Sequence, residues 1–101
     1  MSTKGVLMQL DKKVKDEIIS KLKKEGAKSI AFFGSYVRND ASPESDLDIL
    51  VEFSEDKTLF DLARIERELS KKTKIEIDLV TENALSPLFK EKVEREKEVL
   101  V

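Results

Sequence analysis

The chain contains no cysteine. Disulfides and thiolate metal sites are thereby excluded, and a reducing cytoplasm is the expected compartment. Histidine is also absent, which removes the commonest general base and the usual zinc ligand. Any metal here must be held by oxygen, a donor set that favours magnesium or manganese. Glycine occurs three times and proline twice among 101 residues, and such scarcity together with heavy charge fits a heat-adapted protein. No apolar run approaches the roughly 18 residues that a membrane-spanning helix needs, so no membrane association is expected. No signal-peptide pattern opens the chain. An excess of one charge is missing too, since 19 Lys and Arg stand against 21 Asp and Glu. Without a net basic field, nucleic acid is not expected as a direct ligand. The local clusters Lys21, Lys23, Lys24 and Lys71, Lys72, Lys74 read as solvated helix faces.

What is present suits one domain over residues 1–101, with a single modest core. Leu10, Val14, Ile18 and Leu22 recur every four residues and predict an amphipathic helix, which Gly26 would end. Ser29–Phe33 predicts a short buried strand, and Gly34 closes it. Ser35–Asn39 predicts a helical turn or two, and Asp40–Ser45 a loop. Leu47–Phe53 predicts a second strand, with Asp46, Asp48 and Glu52 on one parity and Leu47, Ile49, Val51 and Phe53 on the other. Thr58 and Asp61 have capping-box spacing and open a helix carrying Leu59, Leu62, Ala63, Ile65 and Leu69. Ile75–Val80 predicts a third strand. Ser86–Pro87 predicts the N-cap and first residue of a last helix running to about Lys97, after which Val99–Val101 forms an edge strand or tucks against the core. This alternation predicts an α/β fold, a small sheet flanked by helices. The connection between the first two strands is too short for an ordinary crossover helix. An antiparallel first pair, and hence a mixed sheet, is the expectation.

Asp is disfavoured in strands, yet three of them sit in or beside strand-like segments. Residues two apart on a strand point to the same side, with Cα atoms roughly 6.5–7 Å apart. Asp46 and Asp48 at this spacing can converge on a pair of metal ions. Two adjacent ionised carboxylates otherwise repel each other and raise one pKa. Asp78 interrupts the third strand on the parity of Glu76. If that strand neighbours the second, Asp78 completes the acidic site and can help deprotonate an attacking hydroxyl. Gly34 permits a sharp turn and close approach of a ligand. The amides and the Ser35 hydroxyl that follow suit a phosphate, and Arg38 one turn on can reach a phosphate oxygen or a nearby carboxylate. Each piece alone is common. Together they describe a site for a nucleoside triphosphate with divalent metal, and phosphoryl chemistry of this kind needs no histidine.

The segments Gly34-Ser35-Tyr36-Val37-Arg38, Ser45-Asp46-Leu47-Asp48-Ile49-Leu50-Val51 and Ile77-Asp78-Leu79-Val80 resemble the minimal nucleotidyltransferases of the DNA polymerase beta superfamily. The glycine-serine, ten-residue, D-x-D spacing is similar to that of the MntA-type antitoxins that pair with HEPN-domain toxins. The resemblance spans nearly the whole chain and implies a polymerase-beta-like nucleotidyltransferase core. It further implies that Asp46 and Asp48 bind two Mg²⁺ ions, that Asp78 binds the catalytic one and acts on the acceptor hydroxyl, and that Gly34 and Ser35 hold the β- and γ-phosphates of ATP. The implied reaction moves AMP to a hydroxyl, in MntA-like systems a tyrosine of the HEPN toxin, and silences it. Asn39 stands where glycine often follows the arginine, a change that a left-handed Asn tolerates. Two other readings stay open: an antitoxin that works by stoichiometric binding, and a transferase acting on a small hydroxyl compound or RNA ends. Tyr36 either stacks on a base or packs in the core.

Overall fold

The computed structural model describes residues 12–38 and 45–101. Leu10, Asn39 and the loop residues 40–44 lie outside the described residues, so the expectations placed on them have no structural counterpart here.

Helix α1 (Lys12–Lys24) buries Ile18 and Leu22 one turn apart. It ends at Gly26, whose φ of 97° is a conformation that costs glycine little. Strand β1 (Ala27–Phe33) follows, then the one-turn helix α2 (Ser35–Arg38) and strand β2 (Leu47–Phe53). Helix α3 (Leu59–Thr73) starts at a complete capping box. The Asp61 amide donates to Thr58 Oγ1 and the Thr58 amide donates to Asp61 Oδ2. Strand β3 is Ile77–Val80. A 3-10 turn at Glu82–Ala84, not anticipated from the sequence, leads to helix α4 (Pro87–Glu96). The Ser86 hydroxyl caps that helix and Pro87 opens it, as the dipeptide predicted. Strand β4 (Glu98–Val99) ends the order.

Among the described residues, four strands lie in the order β3-β2-β1-β4. β1 runs antiparallel to β2 and to β4, whereas β2 and β3 are parallel. The sheet is therefore mixed, as expected from the short β1–β2 connection. One face carries Ile30, Phe32, Leu47, Ile49, Val51, Ile77 and Leu79 against Ile18 and Leu22 of α1 and Ile65 and Leu69 of α3. Burial of each such side chain stabilises by roughly 1.5–3 kcal/mol, so this face forms the main core. The other face has a smaller core, in which α4 lays Val93 on Ala31, Phe33 and Leu50.

Two corrections follow. The third strand is two residues shorter at its start than predicted, because Lys74 takes a left-handed conformation (φ 63°) as the cap of α3 and the Ile75 amide is held by Thr73 Oγ1. Leu59 of α3 is exposed and so is Ala63; only Leu62, Ile65 and Leu69 of the anticipated stripe reach the core.

The outer edge of β3 is closed by its own crossover helix. The Leu79 amide donates to Glu66 Oε2 at 2.7 Å and the Ile77 amide to Ser70 Oγ at 3.0 Å. Satisfying these edge donors blocks strand addition there. Among the described residues no helix is long and apolar enough to cross a membrane.

Candidate active site

In the parallel register of β2 and β3, Asp48 lies directly opposite Asp78. Both side chains leave the sheet on the face of α4, since Leu47, Ile49, Ile77 and Leu79 fill the opposite one. On the other side of Asp48 the cross-strand partner is Phe33. The next row, Ala31 and Leu50 with Val80, is covered by α4. The acidic pair thus sits at the end of the sheet, just beyond the cover of α4. The ring of Phe89 stands edge-on to Phe33 with centroids 6.1 Å apart.

Asp48 is half-buried, and its carboxyl is pushed up from 3.8 to about 6. Burial is the largest cause, followed by the negative charges of Asp78 and Asp46 and a hydrogen bond with Asp78, while Arg38 opposes the shift. Below about pH 6 the Asp48 carboxyl keeps its proton and donates it to Asp78. Asp46, one residue before β2, stands exposed at the mouth of the site. Its charge reaches both Asp48 and the half-buried Tyr36, whose hydroxyl pKa is raised chiefly by burial and then by Asp46. All three sequence-predicted acids are thereby brought to one end of the sheet.

Among the described residues, no group of three His, Cys, Asp or Glu side chains forms a ready-made metal cage. Magnesium seldom asks for one, since it commonly uses one or two carboxylates and takes further oxygens from substrate phosphates and water. The half-buried Asp48 facing the exposed Asp78, with the Asp46 carboxylate at the mouth, matches that requirement in donor chemistry.

Gly34 is buried between β1 and α2 with φ 86°. A Cβ at this position would overlap Oδ2 of Asp48. Glycine is favoured here by its backbone angle, and a side chain would also displace the Asp48 carboxylate. Ser35 opens α2, whose turn is closed by the Val37 and Arg38 amides donating to the Gly34 carbonyl. Tyr36 packs partly on the main core, the simpler of the two expectations for it. Arg38 reaches a carboxylate: its Nη1 lies 3.2 Å from Oε1 of Glu96, at the end of α4. The same oxygen accepts the Gly34 amide at 3.1 Å. Glu96 was not anticipated from the sequence. It lies 62 residues from Gly34, and no local spacing marks it.

The fold and its motif agree with comparison to known proteins. A family model described as "Nucleotidyltransferase domain" matches residues 12–100. A predicted protein adenylyltransferase of Methanocaldococcus jannaschii is 45% identical over 80 residues, covering 79% of this chain and 86% of the relative. The protein adenylyltransferase MntA of Thermococcus cleftensis is 36% identical over 86 residues, covering 80% and 87%. A solved structure of a predicted minimal nucleotidyltransferase is 38% identical, with a TM-score of 0.74 over 84% of this chain and 87% of that one. The same fold, at 20% identity and a TM-score of 0.74, occurs in a structure of tri-AMPylated Shewanella oneidensis HEPN toxin in complex with MNT antitoxin, covering 91% of this chain and 72% of that one. A glycine turn pressed against one of two facing strand aspartates, on a small mixed sheet that the family model spans almost end to end, makes this chain a member of the nucleotidyltransferase domain family.

Proposed function

We propose that this chain transfers AMP from ATP to a protein hydroxyl, a tyrosine of a partner HEPN-domain toxin, and thereby acts as an antitoxin. The observation that carries the reading is the facing of Asp48 and Asp78 across β2 and β3, with Gly34 packed against Asp48. Relatives above one third identity that are named protein adenylyltransferases support it, as does the family model.

In this reading Gly34 and Ser35 seat the β- and γ-phosphates of ATP at the start of α2, where glycine lets the chain come close. The Arg38 guanidinium offers a planar, permanent positive charge beside them. Asp46, Asp48 and Asp78 would supply the oxygen donors for two Mg²⁺ ions. Those ions, when bound, neutralise the triphosphate and the charge that develops during transfer. Asp78 takes the proton of the attacking hydroxyl. The acceptor oxygen forms its bond to the α-phosphorus as the bond to pyrophosphate breaks, and pyrophosphate leaves.

A small sheet open at its acidic end gives the nucleotide little cover, which suits a reaction completed by a docked partner. Phe60 is 88% exposed at the start of α3 and Leu88 83% exposed on α4, apolar surface of the kind that partners cover.

The test is to incubate the protein, labelled ATP and magnesium with a HEPN-domain partner and to map label by mass spectrometry. AMP on a partner tyrosine is the expected product. Absence of transfer to a folded partner while ATP is bound would exclude the catalytic reading. Asp46 and Asp48 replaced together by Asn should abolish transfer. If that variant still neutralises the partner fully in cells, inhibition is by stoichiometric binding.

A further inference from the structure

We propose that Glu96 is a built-in occupant of the phosphate seat, and that its carboxylate must swing out before a nucleoside triphosphate can bind. The inference rests on the reading of Gly34 and Arg38 as phosphate-holding groups. Glu96 Oε1 accepts from the Gly34 amide at 3.1 Å and from Arg38 Nη1 at 3.2 Å. These are a backbone donor and a guanidinium converging on one oxygen, the arrangement that a phosphate oxygen requires. The carboxylate is therefore a chemical stand-in for phosphate, supplied by the chain itself from 62 residues away.

Three features make this a competitor and not a mere brace. A backbone amide has one hydrogen, so the Gly34 donor directed at Glu96 is withheld from a ligand. Glu96 also brings negative charge to a glycine already in contact with Asp48. A triphosphate approaching Gly34 therefore meets a fixed anion where it needs a donor. Finally, Glu96 is the last residue of α4. Its side chain, only 19% exposed, can leave by rotation about its own bonds, with the β4 pairing that follows left intact. The seat is thus taken by Glu96 and opens by exchange of one anion for another. The device limits occupancy by weak anions, including inorganic phosphate, and admits a ligand that gains additional contacts elsewhere in the site.

The experiment compares wild type, Glu96→Gln and Glu96→Ala in calorimetric titrations with a non-hydrolysable ATP analogue and magnesium, and separately with inorganic phosphate. Thermal melts verify that each variant is folded. Removing the competitor should tighten analogue binding about tenfold in Glu96→Ala, the scale of a hydrogen bond to a charged group set free. Glu96→Gln should fall between, because its amide oxygen still accepts the Gly34 donor without the charge. Inorganic phosphate should bind measurably better to the Ala variant than to wild type. If affinity instead falls in the order wild type, Gln, Ala, Glu96 is a brace for Arg38 and the inference is wrong. Equal affinity in all three also overturns it, while leaving the nucleotide site in place. If none binds the analogue, the reading of Gly34 and Arg38 fails and takes this inference with it.

Discussion

Asp48→Asn should make the protein more stable at neutral pH and inactive. The Asp48 carboxyl rises from 3.8 in an unperturbed chain to about 6 in the fold. Between those values the native state holds a proton that the unfolded state has released. Stability therefore falls as pH rises through this window and levels off above it. At neutral pH the full shift corresponds to at most roughly 3 kcal/mol, and solvent around the half-buried group reduces this to about 1–2 kcal/mol. Asn keeps the shape, can donate to Asp78 and never ionises. In a domain of this size, 1–2 kcal/mol raises the melting temperature by roughly 4–16 °C. Melts of wild type and variant in chelator should differ by that amount at pH 7.5 and should converge at pH 4. A variant that is equally stable or less stable at pH 7.5, with a wild type whose stability does not decline between pH 4 and 7, would refute the strain assigned to the acidic pair. Such a gain, set against lost transfer, is the usual sign of a site held for chemistry at the expense of the fold.

Gly34→Ala should be destabilising, because the backbone sits at φ 86°, and the new methyl should push Asp48 Oδ2 aside. A loss of about 1–3 kcal/mol in urea denaturation is expected, together with weakened nucleotide binding. Glu25 joins α1 to α3 through Arg64, with Nη2 at 3.0 Å, and also meets Lys21 and Lys57. The hydrogen bond from Arg64 is the main cause that holds its carboxyl down at about 2, against an ordinary 4.5. Its stabilisation is present above 4.5 and is lost as pH falls through 2. Glu25→Gln should thus cost about 1–2 kcal/mol at pH 7 and almost nothing near pH 2, as read from denaturation midpoints at the two values.

What could be read from the sequence was what is local or what alternates. The capping box at Thr58 and Asp61 and the Ser86–Pro87 helix start each lie within one turn, and both stand in the structure. The left-handed angle at Gly26 likewise followed from the end of an amphipathic repeat. The convergence of Asp48 and Asp78 needed one further step, the adjacency of β2 and β3, which parity alone could state only conditionally. The start of β3 was misplaced because Ile75 and Glu76 continue the alternation of the strand, whereas the chain there is still leaving the left-handed cap at Lys74. The parity rule also missed that Leu50, on the acidic side of β2, is buried; α4 covers that part of the face, and a strand pattern does not show which helix lies above it. Glu96 was illegible for the same reason, since its partners are distant in sequence and its type is common on helices.

The central claim is that the strand aspartates and the glycine turn form one magnesium-dependent nucleotide site. Titration calorimetry with a non-hydrolysable ATP analogue, on wild type and Asp78→Asn, tests it without need of a partner. Wild type should bind in magnesium, lose at least about tenfold in affinity in chelator, and lose a similar factor on substitution of Asp78. Undiminished binding by the chelated wild type, or by Asp78→Asn in magnesium, would contradict the account.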